Sequence, residues 1–249
     1  MKVFYQTDPG KVRDHNEDNV IVVENNKGEK ILIVADGMGG HRKGEVASIM
    51  ALEHLTEKFL ELDTVGTKIE AVQWLNESVS IINSEILKHA RKHEDSHGMG
   101  TTLVVSIVTN DFLLFGNIGD SSGYVYKNNL IHKVTKDHTL VNLLVDVGNI
   151  TDEEAKHHPK KNVLMKALGV NEEVEMDIFG VDGPYDGIML CSDGLTTMLS
   201  DEQIESVINE DISIEKRVNK IIDKCNSRGG TDNISVALLL KESGDNNDC

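Results

Sequence analysis

Cysteine, proline and long apolar runs are scarce in this sequence of 249 residues. Its three cysteines, Cys191, Cys225 and Cys249, are too few and too scattered for a disulfide framework or a zinc site. With only three prolines, no linker or repeat divides the chain, so we predict one domain over residues 1–240 and an acidic, disordered tail at 241–249. No apolar run approaches the ~20 residues that cross a bilayer, and MKVFYQTDPG turns polar after five residues. We therefore expect a cytoplasmic protein with neither a membrane span nor a signal peptide.

Positive charge is scarce as well. Lys and Arg number 25 against 42 Asp and Glu, which gives a formal net charge of −17. Such an acidic surface argues against nucleic acid or an anionic membrane as the partner. It is compatible with the binding of divalent cations where carboxylates converge. A chain of this length buries enough core to fold without disulfides or a structural metal.

The stretch ILIVADGMGGH, residues 31–41, places an acid directly after an aliphatic run. Residues 31–35 have the length and branching of a buried strand, Asp36 follows, and three of the next four residues are glycine. We predict that the strand ends before Asp36 in a tight glycine turn that leaves the carboxylate rigid and exposed. Taken alone, the Asp-Gly pair favours the closure of a hairpin, which is its commoner use.

Helices and hairpins alternate along the rest of the chain. Apolar residues at three- and four-residue steps predict amphipathic helices over 44–62 and 67–92. β-Branched runs predict strands over 101–108 and 112–118, and Asn128-Asn129 predicts a hairpin between 123–127 and 130–134. Further strands are expected at 4–7, 20–23, 174–179, 187–191 and 233–240, with helices at 201–208 and 214–225. Sequential hairpins indicate an α+β fold with mainly antiparallel sheets. The charged segment 137–169 is either a flap over a site or an ordinary surface excursion.

Four aspartates each adjoin a glycine-rich turn and border an apolar strand, namely Asp36, Asp120, Asp193 and Asp232. Carboxylates that gather without His or Cys partners repel one another unless a hard cation neutralises them. Oxygen ligands of this kind select Mg²⁺ or Mn²⁺ over zinc. Gly37 has no side chain, which would allow its carbonyl oxygen to approach such an ion closely.

Two other polar clusters have competing interpretations. His89, His93 and His97 are spaced four residues apart and could share a metal, but their charged surroundings favour a solvated helix end. RDHNEDN, residues 13–19, is either a solvated loop or a loop that brings Arg13 and Asp18 into one pocket.

Six short motifs follow one another along the chain, in the order RDHNED, VADGMGGH, GMGTT, GNIGDSS, CSDG and GGTDN. In this order they resemble the metal-dependent protein phosphatases, in particular the bacterial branch of the protein phosphatase 2C type. The resemblance covers residues 6 to about 240. It implies a four-layer α/β/β/α sandwich with two central antiparallel sheets and a metal centre at one end.

The resemblance implies a two-metal centre that holds Mn²⁺ or Mg²⁺. Asp36 would bridge both ions, and the carbonyl oxygen of Gly37 would bind one of them. Asp193 and Asp232 would complete the coordination of the other, while Asp18 would act mainly through metal-bound water.

The resemblance also implies a third metal position and a reaction. The further metal would lie at Asp120 and Asp193, and Arg13 matches the arginine that holds the substrate phosphate. The implied reaction is hydrolysis of phosphoserine and phosphothreonine in proteins by a metal-bridging hydroxide, without a covalent phosphoenzyme. Phosphorylated proteins and a cognate Hanks-type Ser/Thr kinase are the implied partners, and we expect a monomer.

Two positions depart from the family pattern. Met38 stands where animal relatives have a histidine proposed as general acid, and we interpret the nearby His41 as structural, so the proton donor has no assignment. Ser122 replaces the arginine of the usual GDSR, which predicts altered local packing without loss of activity. Asn162, the last residue of HPKKN, is expected near the further metal.

Other chemistries fit the sequence less well. A cysteine-based phosphatase needs Arg six residues after Cys, where this chain has Thr197 and Thr231. The GKV sequence at 10–12 lacks the Ser or Thr that follows the lysine of a P-loop. A metal nuclease fits the carboxylates but not the acidic charge. A catalytically silent regulatory module would not need every predicted metal-binding Asp together with Arg13.

Overall fold

Residues 1–39 and 43–241 are described by a computed structural model, so His41 and the tail beyond Lys241 lie outside the described residues. The strands are β1 (Lys2–Asp8), β2 (Asp18–Glu24), β3 (Lys30–Met38), β4 (Gly100–Thr101), β5 (Leu103–Val108), β6 (Leu113–Ile118), β7 (Ser122–Lys127), β8 (Leu130–Lys133), β9 (Asp177–Val181), β10 (Gly187–Cys191) and β11 (Ile234–Leu240). The α-helices are α1 (Lys43–Glu61), α2 (Lys68–Lys92), α3 (Leu140–Asp146), α4 (Asp152–Lys156), α5 (Asp193–Thr196), α6 (Asp201–Ile208) and α7 (Ile214–Ser227). None of the helices in these two ranges is both long enough and apolar enough to cross a membrane.

The strands form two antiparallel sheets packed face to face. One sheet has the order β1-β11-β10-β7-β8, and the other has the order β2-β3-β5-β6-β9 with β4 paired to β3. Helices α1 and α2 pack on the outer face of the second sheet, and α6 and α7 pack on that of the first. The predicted four-layer α/β/β/α sandwich is therefore confirmed.

Strand β3 contributes to two of the hydrophobic layers. Ile31 and Ile33 belong to the cluster formed with α1 and α2, whereas Leu32 and Val34 belong to the cluster between the sheets. Successive side chains of a strand point to opposite faces, and here both faces are covered. All four side chains are consequently fully buried, which explains the unbroken aliphatic run in the sequence.

Helix α1 contacts the sheet through a narrow stripe of side chains. Ala47, Ala51, Leu55 and Phe59 recur at four-residue steps and are buried, so one face of the helix lies on β3. Helix α2 begins one residue after the predicted start, because Thr67 forms a capping box ahead of it. Helices α1 and α2 therefore pack on the sheet that contains β3, the strand on which most of the motif ILIVADGMGGH lies.

The prediction that β3 ends before Asp36 is wrong. The strand continues to Met38, because Gly37 and Met38 pair with Thr101 and Gly100 of β4. Asp36 is therefore held inside a strand and is half-buried rather than exposed. The same pairing divides the predicted strand 101–108 into β4 and β5. Strand β9 starts three residues later than predicted, since its register is set by pairing with β6.

The predicted hairpin at Asn128-Asn129 is confirmed. Both residues are left-handed, with φ of 52° and 67°, as a type I′ turn between β7 and β8 requires. The flap segment, residues 137–169, contains α3 and α4 and returns to the sandwich through a bridge between Thr101 and Leu168.

Two leucines of α1 provide a test of this packing. Leu55 is fully buried and Leu60 is 52% exposed. We expect Leu55→Ala to lower the free energy of unfolding by about 2–5 kcal/mol through lost contacts and a residual cavity. Leu60→Ala makes the same chemical change on the surface and should cost less than about 1 kcal/mol. Urea unfolding of both variants measures the difference, and equal losses would contradict the assigned face of the helix.

Candidate metal centre

All of the predicted site residues except Asp18 line one cavity of about 310 Å³ at one end of the sandwich. Its wall contains the predicted residues Arg13, Asp36, Gly37, Asp120, Asp193 and Asp232, together with Glu17, Met38, Gly39, Thr102, Asn162, Leu164 and Asn233. The acids come from β3, the β6–β7 turn, the start of α5 and the residues before β11. Segments far apart in sequence thus place four carboxylates around one space.

A larger cavity of about 910 Å³ involves the opposite ends of several of the same strands. It is lined mainly by the loops 109–113 and 181–186 and by Lys68, Tyr185 and Lys241. None of the predicted site residues reaches it. Size therefore does not identify the site here, because only the smaller cavity combines clustered carboxylates with an arginine.

Backbone hydrogen bonds hold Asp36 in place. Its N–H donates to Thr102 Oγ1 at 3.0 Å, and its carbonyl oxygen accepts from Thr102 N–H at 2.9 Å and from Thr101 Oγ1 at 3.0 Å. The two threonines belong to the motif GMGTT. Their hydrogen bonds to the backbone of Asp36 could not be predicted from that motif. They leave the carboxyl group of Asp36 on a rigid backbone facing the cavity.

Gly37 is required for a reason that the sequence did not reveal. A Cβ at this position would lie 2.2 Å from the carbonyl oxygen of Gly44 and 2.6 Å from that of Glu17. The backbone of β3 therefore touches the first turn of α1, and no side chain fits between them. Glu17 joins the same contact, since its Oε1 accepts the Gly44 N–H at 3.2 Å.

Asp18 lies directly opposite Asp36 in the antiparallel pair of β2 and β3. It is only 3% exposed, and its Oδ2 accepts a hydrogen bond of 2.6 Å from Ser192 Oγ. Its Oδ1 is buried and has no partner among the described residues. Like charges that face each other across a sheet destabilise it, and a buried carboxylate oxygen needs a partner.

Burial and mutual repulsion raise the pKa values of these acids. Burial is the main cause, and it raises the pKa of Asp18 and of Asp120 to about 7 and that of Asp193 to about 6. Neighbouring carboxylates contribute to these raised pKa values in all three cases. The pKa of Asp36 is raised well above its ordinary value by burial and then by its four acidic neighbours. Negative charge is therefore costly here unless a cation offsets it.

These donors fit a hard divalent cation. The unpartnered Oδ1 of Asp18 and the raised pKa values identify a set of oxygen ligands that lacks positive charge. Within residues 1–39 and 43–241, no three His, Cys, Asp or Glu side chains already form a closed set of ligands. The carboxylates line the cavity and do not converge on a single position within it. His89 and His93 stack with ring centroids 4.4 Å apart, away from this cavity.

Arg13 lies at the cavity beside Asp232. Its Nη2 donates to Asp232 Oδ2 at 2.8 Å, and its side chain is 53% exposed. The loop that carries it is fixed by Asn233, whose Nδ2 lies 2.9 Å from the carbonyl oxygens of both Pro9 and His15. Asn233 also accepts the N–H of the residue that precedes Asp18. The sequence did not predict this anchoring role, although Asn233 is part of GGTDN.

The flap segment contributes Asn162 and Leu164 to the cavity wall that contains Asp120. Asn162 thus lines the same cavity as Asp120, and its nearness to the further metal stays a prediction. Ser122 begins β7 opposite Cys191 and is 1% exposed. A small buried side chain therefore stands where the family pattern has an arginine.

Comparison with known proteins identifies the family. The family model for Protein phosphatase 2C matches residues 11–236. Serine/threonine phosphatase stp of Listeria welshimeri is 43% identical over 242 residues, covering 96% of this chain and 95% of the relative. Protein phosphatase PhpP of Streptococcus pneumoniae is 36% identical, with 98% and 99% covered.

Solved structures show the same fold. The Streptococcus agalactiae serine/threonine phosphatase superposes with a TM-score of 0.92 at 35% identity, covering 97% of this chain and 99% of that one. The catalytic domain of the serine/threonine phosphatase PstP, solved with two manganese ions, gives a TM-score of 0.82 at 33% identity, with 95% and 96% covered. The chain therefore belongs to the protein phosphatase 2C family, among the bacterial serine/threonine phosphatases.

Proposed function

We propose that this protein hydrolyses phosphoserine and phosphothreonine in proteins in a reaction that depends on divalent metal ions. The observation that carries the proposal is the meeting of Asp36, Asp120, Asp193 and Asp232 with Arg13 around one cavity. Phosphate monoesters react extremely slowly in water, so strong assistance is needed at phosphorus. The reaction takes place within residues 1–240, which we treat as one catalytic domain.

The proposed ligands are carboxylates and one backbone oxygen. Asp36 would be shared by two ions, the Gly37 carbonyl would help to hold one of them, and Asp193 and Asp232 would hold the other. Asp18, buried opposite Asp36 in the β2–β3 pair, would act mainly through metal-bound water. Bound Mn²⁺ or Mg²⁺ supplies an activated water nucleophile at neutral pH and offsets the charge of the phosphate. The PstP structure with two manganese ions supports Mn²⁺ as one suitable metal.

A further ion is proposed at Asp120 and Asp193. Both carboxylates line the cavity, and after burial the charge of Asp193 is the next cause of the raised pKa of Asp120. Asn162 reaches the same wall from the flap segment. This position shares Asp193 with the main centre but does not use Asp36, so loss of the further ion should weaken activity without emptying the main centre.

Arg13 is proposed to hold the phosphate. One of its terminal nitrogens is bonded to Asp232, which fixes the guanidinium at the cavity. Its remaining N–H groups are available to grip the phosphate oxygens in the bidentate manner typical of arginine. We assign no residue as general acid for the leaving alkoxide.

The cellular setting follows from the substrate class. Phosphorylated proteins are the proposed substrates, and a cognate Hanks-type Ser/Thr kinase is the proposed opposing enzyme. The relatives named serine/threonine phosphatase stp support phosphorylated proteins as the substrates. We further propose a cytoplasmic monomer with no nucleic-acid or membrane partner, in keeping with the net charge of −17.

Metal-dependent turnover tests the reaction class. We expect the purified protein to hydrolyse a generic aryl phosphate when Mn²⁺ is added, and to lose that activity in excess chelator. Re-addition of Mn²⁺ should restore it, which separates metal removal from denaturation. Absence of metal-dependent hydrolysis with a folded protein would rule out the proposed enzyme and leave a silent binding module.

Asp36→Asn tests the bridging carboxylate. Calorimetry should show that Mn²⁺ binding to the main centre is lost, because a neutral amide cannot offset the charge of two cations. The metal-free variant should melt at a higher temperature than metal-free wild type, since repulsion between Asp36 and Asp18 is removed. Asp111→Asn, in the exposed turn between β5 and β6, is the matched control and should change neither quantity. Retained affinity for Mn²⁺ would mean that Asp36 is not a ligand.

Arg13→Ala tests the phosphate contact. A lost charged hydrogen bond of about 1.5–3 kcal/mol predicts a decrease in kcat/KM of roughly 10–100-fold. Mn²⁺ affinity should not fall, because arginine is not a ligand. Arg91→Ala removes another exposed arginine that is paired with an acid, Glu172 on its surface, and serves as control. An unchanged kcat/KM for Arg13→Ala would remove this residue from the site.

A further inference from the structure

His138, at the start of the flap segment, makes two bonds to one residue of the β6–β7 turn. Its ring Nδ1 accepts the Gly119 N–H at 3.0 Å, and its own N–H donates to the Gly119 carbonyl oxygen at 2.9 Å. Gly119 is left-handed, with φ of +104°, and directly precedes Asp120. The direction in which the Asp120 carboxyl points therefore depends on a turn that His138 holds from both sides.

The other nitrogen of the ring faces Asp177 on β9. Since Nδ1 accepts a hydrogen bond, the proton of the neutral ring is on Nε2, which lies 3.2 Å from Asp177 Oδ2. The histidine side chain is only 10% exposed, whereas that of Asp177 is 38% exposed, so the ring is shielded from water on one side only. Lys166 Nζ bonds the second oxygen of Asp177 at 2.9 Å.

Asp177 is held in its charged form by these two partners. Burial alone would raise its pKa, but hydrogen bonds from Lys166 and His138 outweigh burial and lower the pKa. Asp177 is thus a fixed anion on an edge strand of the second sheet. It keeps the imidazole in the tautomer that can receive the Gly119 N–H.

The same histidine is also bonded to the part of the flap that enters the cavity. Its carbonyl oxygen accepts the Met165 N–H at 2.8 Å, and the Leu140 N–H donates to the Val163 carbonyl oxygen at 2.8 Å. Leu164, between these two residues, lies on the cavity wall with Asn162. One largely buried residue is therefore hydrogen-bonded to the Asp120 turn and to the flap, and its ring faces β9.

We propose that His138 is a positioning residue that, with Asp177, holds the Asp120 turn and the flap residues 162–166 in one fixed arrangement. Its effect on metal binding rests on the proposed function, in which Asp120 binds the further ion. Asn117 also supports the turn, because its Nδ2 donates to the carbonyl oxygens of Gly119 and Lys136. The Asn117 side chain makes no hydrogen bond to flap residues 162–166 in the part of the chain that the structure describes. Of these two supports of the turn, only His138 is therefore also bonded to those flap residues.

Hydrogen exchange in the metal-free protein tests the link directly. We expect His138→Ala to increase exchange about tenfold in 117–121, because the Gly119 N–H loses its acceptor on the ring. We expect a similar increase in 162–166, because the Met165 N–H is bonded to the backbone carbonyl of residue 138, which the ring no longer anchors. His138→Asn keeps an acceptor near the position of Nδ1 but cannot reach Asp177, so it should protect 117–121 better than alanine does. His54→Ala removes another largely buried histidine, which lies 3.4 Å from Glu85 on the helix layer, and is the matched control.

The two segments must respond together for the proposal to hold. Increased exchange in only one of them, or an equal increase in His54→Ala, would overturn it, as would unchanged exchange in His138→Ala. The asparagine variant decides the question if the alanine variant does not fold.

Calorimetry with Mn²⁺ then tests the consequence for the metal. His138→Ala should weaken the weakest Mn²⁺ site about tenfold and leave the tighter sites within about twofold of wild type, because only the Asp120 turn is displaced. Equal weakening of all sites would overturn the specific role at Asp120. If wild type binds no Mn²⁺, the proposed function fails, while the exchange experiment still decides whether His138 joins the turn to the flap.

Discussion

Concentrated negative charge at one end of the sandwich is the constraint on which the site depends. Asp18 and Asp36 face each other across β2 and β3, and Asp193 and Asp232 lie on the adjoining sheet's strand ends. Burial raises the pKa of Asp36 most, and the neighbouring carboxylates raise it as well. Folding therefore places these acids where water cannot solvate them well, and the fold tolerates this because the hydrophobic layers on either side stabilise the strands that carry them.

The strands can approach so closely because glycines stand where backbones meet. Gly37 lies against Gly44, and Gly194 lies against Asn233, where a Cβ would fall 1.9 Å from the carbonyl oxygen. Each contact joins a segment that carries a proposed ligand to an element from another part of the chain. The glycines beside the aspartates thus determine the distances between carboxylates, and an alanine at either contact would move a ligand by displacing its backbone.

Local patterns predicted most of the architecture. The aliphatic run of β3, helix α1 and the turn at Asn128-Asn129 are each determined by neighbouring residues, and each is found where it was expected. The ordered motifs brought the four aspartates together before any geometry was known. The fold class and the cavity residues were therefore accessible from sequence, and the exact end of β3 was not, since it depends on pairing with β4.

Long-range hydrogen bonds account for what the sequence did not reveal. Asn233 bonds the backbone of Pro9 and His15, and Thr102 bonds Asp36. None of these pairs has a periodicity or a spacing that sequence reasoning can use, because the partners lie on different strands or loops. The facing of Asp18 and Asp36 is likewise a consequence of register, which a single strand does not specify.

The pairing of Arg13 with Asp232 gives the site an order of events under the proposed function. A phosphorylated protein approaches a chain of net charge −17. Salt screens charges that are more than about 8 Å apart, so the charges within the cavity decide whether the protein binds. Without a metal, the charge of Arg13 is largely offset by Asp232, 2.8 Å away. If Asp232 held a metal ion, less of its negative charge would act on Arg13, and the guanidinium would be free to attract phosphate. Metal binding should therefore precede, and strengthen, the binding of substrate.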